Sequence, residues 1–298
     1  MSAAALVAAA RERPLLLDGG LGTELEARGA AVDSALWSAR VLVDEPQRVR
    51  DAHRVFADAG ARVAVTASYQ VSTSGFAAVG LPAELAERAL RASVYLAREA
   101  QSGWVAASVG PYGAALADGS EYRGDDGLTV EELTRWHRPR LRALASAGPD
   151  VIAVETLPSV REVHAVVAAL RGSPIPAWIT VSARGNSTAA GERLAEAFAV
   201  AAASDDVIGV GVNCCSPADV AAAARLARRA TGKLVVVYPN SGEVWDAPTR
   251  RWTGDPAFDS ALVASWLDAG ADVIGGCCRV GPAAIAALAR LLERTGPG

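Results

Sequence analysis

The chain has 298 residues, 51% hydrophobic and 21% charged, with a formal net charge of −4. That is apolar material for a large core, and the basic residues are spread out, without the block or stripe that nucleic acid requires. No uninterrupted apolar run approaches the ~18 residues of a membrane span, so neither nucleic acid nor a membrane is an expected partner.

The opening "MSAAALVAAARERP" lacks a basic stretch before its short alanine-rich run, which Arg11 interrupts. It reads as a short amphipathic helix closing the bottom of the fold and not as a targeting segment. With four cysteines and no such segment, a cytoplasmic location is expected, where thiols stay reduced. The cysteines are then free thiols or metal ligands before they are disulfides.

In chain order, candidate strands are "PLLLDGG" (14–20), the end of "FADAGARVAVTASY" (56–69), "GWVAASVG" (103–110) and the end of "LASAGPDVIAVETL" (144–157). "AWITVSA" (177–183), "DVIGVGVN" (206–213), "KLVVVYPN" (233–240) and the end of "WLDAGADVIGGCCR" (266–279) complete the set. Three of these stretches share one joint: a helix tail, a glycine at the left-handed cap position, then a β-branched run typical of a buried parallel strand. Between the strands lie helical patterns such as "PQRVRDAHRVFADAG", "PAELAERALRASVYLAREA", "TVEELTRWHRPRLRALASAG" and "SPADVAAAARLARRATG". In the last, Ser216 with Pro217 reads as a cap and a first-turn proline. Eight strands alternating with helices, without a nucleotide-fold fingerprint, predict an α/β fold, a single (βα)8 TIM barrel spanning 1–298. The loops at 110–129, 183–193 and 239–259 are long enough to carry function.

In such a barrel the active site gathers at the C-terminal ends of the strands. Those ends carry Asp18, Thr66 with Ser68, Ser108, Glu155, Ser182, Asn213 with Cys214, Tyr238 with Asn240, and Cys277 with Cys278. Carboxylates, thiols and small polar groups thus converge on one rim, which points to an enzyme. The two cysteine doublets end strands six and eight, roughly 10 Å apart with one strand between them, so side chains from both reach one ion. Three thiolates with one open position describe a catalytic zinc site. The glycine pair of "GGCC" is expected to let the backbone turn both neighbours towards one point. Against this stands the ordinary fate of free cysteines, burial as small hydrophobes.

Three anionic sulfurs leave zinc a weak Lewis acid, suited to holding a substrate thiolate and poor at activating water. That favours alkyl transfer to a thiol over hydrolysis. Asp18 and Glu155 then face a substrate amine, or alternatively cap the helices that follow. The glycines of "DGGLGTE" offer N–H groups to a substrate carboxylate. Trp245 and Trp252, with Glu243, Asp246 and Asp255, form either an aromatic and acidic wall for a cationic donor or a cover over the rim. His53, His137 and His164 fall away from the strand ends and read as structural or solvent-facing, which argues against Ser-His catalysis and His-ligated zinc hydrolases.

"LLLDGGLGTELEARG", "LWSARVLVDEPQRVRDAH", "TASYQVS", "SVGPYGAALADGSEYRGD", "VETLPSVRE", "GVNCCSP", "VVYPNSGEVWD" and "GGCCRVGP" together resemble the homocysteine S-methyltransferase family, from about residue 14 to 290. The third-loop stretch resembles the single-domain branch that uses S-methylmethionine or S-adenosylmethionine. The resemblance implies a zinc-dependent barrel with the metal, and the catalytic thiolates, on Cys214, Cys277 and Cys278, and Cys215 a bystander. It implies a homocysteine site with Asp18 and Glu155 on the amine and Gly19 and Gly20 on the carboxylate, with a sulfonium donor as second substrate and methionine as product; Thr66, Ser68 and Asn213, at neighbouring strand ends, are expected to complete the substrate site. Betaine as donor, selenocysteine or selenohomocysteine as acceptor, and a non-catalytic zinc-thiolate sensor barrel are the alternatives.

Overall fold

Each of the eight apolar runs forms a parallel strand. The computed structural model describes residues 1–30, 36, 38–246 and 251–295. The strands are β1 (Leu15–Leu16), β2 (Val63–Val65), β3 (Trp104–Val109), β4 (Val151–Leu157), β5 (Ala177–Arg184), β6 (Val207–Asn213), β7 (Leu234–Tyr238) and β8 (Val273–Ile274). They pair in the order β1-β8-β7-β6-β5-β4-β3-β2. A parallel bridge between Leu17 and Val63, with Arg62 N–H donating to Leu16 O at 2.8 Å, joins β1 to β2 and closes the barrel. Helices follow the strands around the outside, as the alternation predicts.

Side chains alternate in direction along each strand and divide the core in two. Leu15, Leu17, Val63, Trp104, Trp178 and Val236 fill the barrel interior, and Leu6 and Ala10 of the N-terminal helix (Ala3–Glu12) pack into the same cluster, stopping the bottom as expected. Leu16, Ala64, Val105, Ile152 and Val235 face outwards into the layer shared with the helices. Gly60, Gly148 and Gly270 take φ of 103°, 69° and 94°, so the helix-to-strand joints are built as read. Ser216 caps the turn that Pro217 opens, its hydroxyl accepting from Ala218 N–H at 3.3 Å. The stretch after β5 folds back as a short antiparallel extension, pairing Ala183 with Thr188 and Arg184 with Ser187. Among the described residues no helix is long and apolar enough to cross a membrane.

Candidate metal centre and active site

Cys214 directly follows β6 and sits at φ 46°, a left-handed conformation that a non-glycine residue adopts at a cost of about 1–3 kcal/mol. Its N–H donates to Tyr238 O at 3.2 Å, which anchors it to the end of β7. Across that strand, Cys277 N–H donates to Pro239 O at 2.7 Å and Cys278 O accepts from Ser241 N–H at 3.0 Å. Both doublets are therefore tied to the loop after β7. The ligand atoms of Cys214, Cys277 and Cys278 all lie within 4.8 Å of one another, with 4.0 Å between the Cys277 and Cys278 sulfurs. Thiolates sharing a tetrahedral zinc at a bond length of ~2.3 Å stand about 3.8 Å apart, so the Cys277–Cys278 separation suits a shared ion, and the donor set is sulfur alone. Cys215 is buried in the outer core, and burial pushes its thiol up to about 12, away from the cage.

Two local expectations need correction. The structure joins Cys214 and Cys277 in a disulfide, where free thiols or ligands were expected. Their Cα atoms are 5.6 Å apart, within disulfide reach, so a spacing that suits a metal also suits oxidation. A metal ion held by all three sulfurs would require this pair reduced. The glycines of "GGCC" also act differently from the expectation: neither has positive φ. A Cβ on Gly275 would meet Leu17 Cβ at 2.5 Å, and one on Gly276 would meet Val280 Cγ1 at 2.2 Å. They permit close packing, while the left-handed turns fall on Cys214 and on Arg279 (φ 67°).

The carboxylates sit beside this cage. Asp18 is buried, and its Oδ2 accepts from Val65 N–H at 2.9 Å. Burial holds its pKa well above the carboxylate range, and the charge of Glu155 adds to the rise. Glu155 accepts from the Ser108 hydroxyl and is hydrogen-bonded to Tyr238; burial raises it to about 7 against the lowering effect of these two bonds. Two buried carboxylates, one of which raises the charging cost of the other, are stabilised by a cation placed between them. Cys278 is raised to about 11 by burial, with Glu155 and Glu121 adding their charges. A thiol in that field ionises readily only next to a metal cation.

The other residues assigned to the amino-acid site are engaged with the protein. Thr66 and Ser68 share a hydrogen bond at 2.7 Å; Ser68 donates to Ser108 O at 2.7 Å and Thr66 Oγ1 accepts from Ser108 N–H at 3.0 Å. Asn213 Oδ1 accepts from Thr156 N–H at 2.7 Å, and its amide donates to Thr156 Oγ1 at 2.7 Å. It thereby braces Thr156, another non-glycine residue at positive φ (61°), directly after Glu155. Gly20 N–H donates to Val280 O at 2.9 Å, and a Cβ on Gly19 would meet that same carbonyl at 2.1 Å, so the pair lets the first loop pack on the Cys277–Val280 turn. The backbones of Trp245 and Trp252 pair across a hairpin of Val244–Asp246 with Arg251–Thr253, but the side chains of Trp245, Asp246 and Trp252 lie outside the described residues. Of the rest of that wall, Glu243 pairs with Arg279 at 3.0 Å and Asp255 is exposed.

His53 is buried, as one of the two readings had it, but it does not fall away from the strand ends. Its Nδ1 lies 3.9 Å from Asp18 Oδ2, both ring nitrogens lack partners, and burial lowers its pKa to about 4. The signal was present, because Val49, Ala52, His53 and Phe56 form one buried face of the Pro46–Asp58 helix at helical spacing. His137 is buried on Glu162 at 2.9 Å and His164 is exposed, as read. Also missed were Ser108 and Tyr238 as partners of Glu155, and the turn that brings Glu121 and Tyr122 towards Cys278.

The model of the family described as "Homocysteine S-methyltransferase" matches residues 15–292. Homocysteine S-methyltransferase 1 of Zea mays is 43% identical, covering 94% of this chain and 95% of its own. Homocysteine S-methyltransferase of Escherichia coli (strain K12) is also 43% identical, with 92% and 94% covered. Among solved structures, the homocysteine methyltransferase MmuM from Escherichia coli matches in its metallated form with a TM-score of 0.84 and 40% identity, covering 95% of this chain and 96% of that one. Its oxidized form matches with a TM-score of 0.82 and 42% identity, covering 92% and 94%.

Proposed function

The chain belongs to the homocysteine S-methyltransferase family, and from that premise we propose that it is a single-domain, zinc-dependent enzyme methylating L-homocysteine from a sulfonium donor, S-methylmethionine or S-adenosylmethionine. The observation that carries the reading is the adjacency of a three-sulfur cage and two buried, unneutralised carboxylates on one barrel rim. Cys214, Cys277 and Cys278 would hold zinc, which keeps the substrate thiol ionised and nucleophilic at neutral pH. Asp18 and Glu155 receive the substrate ammonium, and Ser108 and Tyr238 fix Glu155 in place for it. The substrate sulfur forms a bond to the donor methyl carbon as the carbon–sulfonium bond breaks. The bonding electron pair returns to the donor sulfur, leaving two neutral thioethers. Because opposite charges disappear along this path, a site shielded from water favours it. A sensor barrel would have no use for the carboxylate pair. A cage that works reduced also fits a cytoplasmic location.

The direct test is methionine formation by the reduced, zinc-loaded protein with homocysteine and S-methylmethionine, S-adenosylmethionine or betaine, with Cys278→Ala as control. Turnover with a sulfonium, lost in the control, is expected. Turnover with betaine alone would transfer the chain to a different donor class, and none with any donor would defeat the reading.

A further inference from the structure

Glu121 has no role in the site as built so far. It lies on the short turn Ser120–Tyr122, inside the long loop after β3, and that turn is firmly held. Ser120 Oγ donates to Gly113 O at 3.4 Å, and Gly124 N–H donates to Ser120 O at 3.0 Å. A Cβ at Gly113 would meet Glu121 N at 2.4 Å, so the turn packs against the start of its own loop through a position where only glycine fits. The carboxylate is half-buried, and its Oε2 is shut off from solvent without a hydrogen-bond partner. Burial raises its pKa. Arg123, the basic residue nearest in sequence, is committed to Asp118 and Asp125, and no ion pair among the described residues engages Glu121.

Its surroundings are those of a cation site. The charge of Glu121 is felt by the neighbouring Tyr122, by Tyr69 and by Cys278, so the carboxylate acts on two half-buried tyrosines and one cysteine of the cage. Tyr69 hydrogen-bonds the Thr156 side chain, one residue from Glu155, which places it at the border between the amino-acid cradle and the third loop. Charge accounting then isolates Glu121. The three thiolates answer to a metal, and Asp18 with Glu155 answer to the acceptor's ammonium. A third carboxylate remains, half-buried with one oxygen shielded and unpartnered, and its charge reaches Cys278.

We propose that Glu121, flanked by Tyr69 and Tyr122, binds the α-ammonium group of the methyl donor and so selects sulfonium donors that carry a primary amine. The proposal rests on the methyl-transfer reading above. A sulfonium cation is recognised by aromatic faces and by the charge of the site as a whole, neither of which needs a carboxylate that accepts hydrogen bonds. A primary ammonium needs one, and a charged hydrogen bond of this kind is worth about 1.5–3 kcal/mol, roughly ten- to a hundredfold in specificity.

The experiment compares kcat/KM for S-methylmethionine with that for dimethylsulfonioacetate, a sulfonium without the amine, in the wild-type protein and in Glu121→Gln. The wild-type protein is expected to favour the amine-bearing donor at least tenfold, and Glu121→Gln to reduce that ratio at least tenfold. Glu121→Asp should show an intermediate ratio, because the charge is kept and the reach shortened. If both donors lose equally in Glu121→Gln, or neither does, Glu121 does not read the amine and the proposal is overturned. A wild-type protein that discriminates less than twofold overturns it without any variant. A wild-type protein inert to both sulfoniums defeats the methyl-transfer reading itself, and this proposal with it.

Discussion

On the proposed reading, Glu155 is the side chain that receives the substrate cation. Two hydroxyl groups, on Ser108 and Tyr238, hold its carboxylate, and burial keeps its pKa near 7. Glu155→Gln keeps the size and loses the charge, so the homocysteine KM should rise roughly ten- to a hundredfold, while zinc content per chain stays at the wild-type level. Loss of zinc in that variant would instead make Glu155 part of the cage. His53 makes a second, independent prediction. Burial lowers its pKa to about 4, against ~6.5 in an unfolded chain. Between those values the unfolded chain binds the extra proton and the folded one does not, so stability present above pH 6.5 is lost as pH falls towards 4, by about 3 kcal/mol in all. Urea titrations at pH 7.5 and pH 5 should therefore show a smaller loss for His53→Gln than for the wild-type protein. Parallel losses would mean that the histidine does not set the acid sensitivity.

At the scale of elements, the loops after β2 and β3 are locked by one side chain of the Val130–Ser146 helix. Arg140 donates to Tyr69 O at 2.8 Å, Val71 O at 2.8 Å and Gly110 O at 3.0 Å, and stacks 4.5 Å from the Trp136 ring. Burial lowers its pKa to about 10, so it remains charged at neutral pH. Lysine cannot reproduce this fork. Arg140→Lys should strand at least one buried carbonyl, costing about 1–3 kcal/mol for each one left unpaired, and the urea midpoint should fall accordingly. An unchanged midpoint would show that the loops are held by other contacts. This clamp explains why the arrangement of the loops after β2 and β3 was hard to read from sequence. Tyr69 and Arg140 lie 71 residues apart, and nothing in the local pattern of either records the contact. The strands behaved oppositely. "VIAVETL" announces itself because every residue of a buried parallel strand is apolar until the polar group that serves the rim.

The barrel as a whole brings the two cysteine doublets together, and that was legible because topology alone fixes which strand ends are neighbours. The disulfide between Cys214 and Cys277 was not legible, since reach for a bond and reach for a shared ion are the same to within an ångström or two. The shared reach yields the final prediction. In an unfolded chain the doublets are separated by 63 residues, so a metal binding all three sulfurs favours the native state. At a thousandfold excess over its dissociation constant an ion adds about 4 kcal/mol of stability, on the order of ten degrees in Tm for a protein of this size. Thermal unfolding of the reduced protein should therefore shift upwards with zinc and return with a chelator. Cys278→Ala should abolish the shift, and Cys215→Ala, in the outer core, should keep it. Without reduction the shift should be much smaller, because two of the three ligands are then bonded to each other. An equal rise in Cys278→Ala would place the ion elsewhere and remove the basis for the thiolate cage.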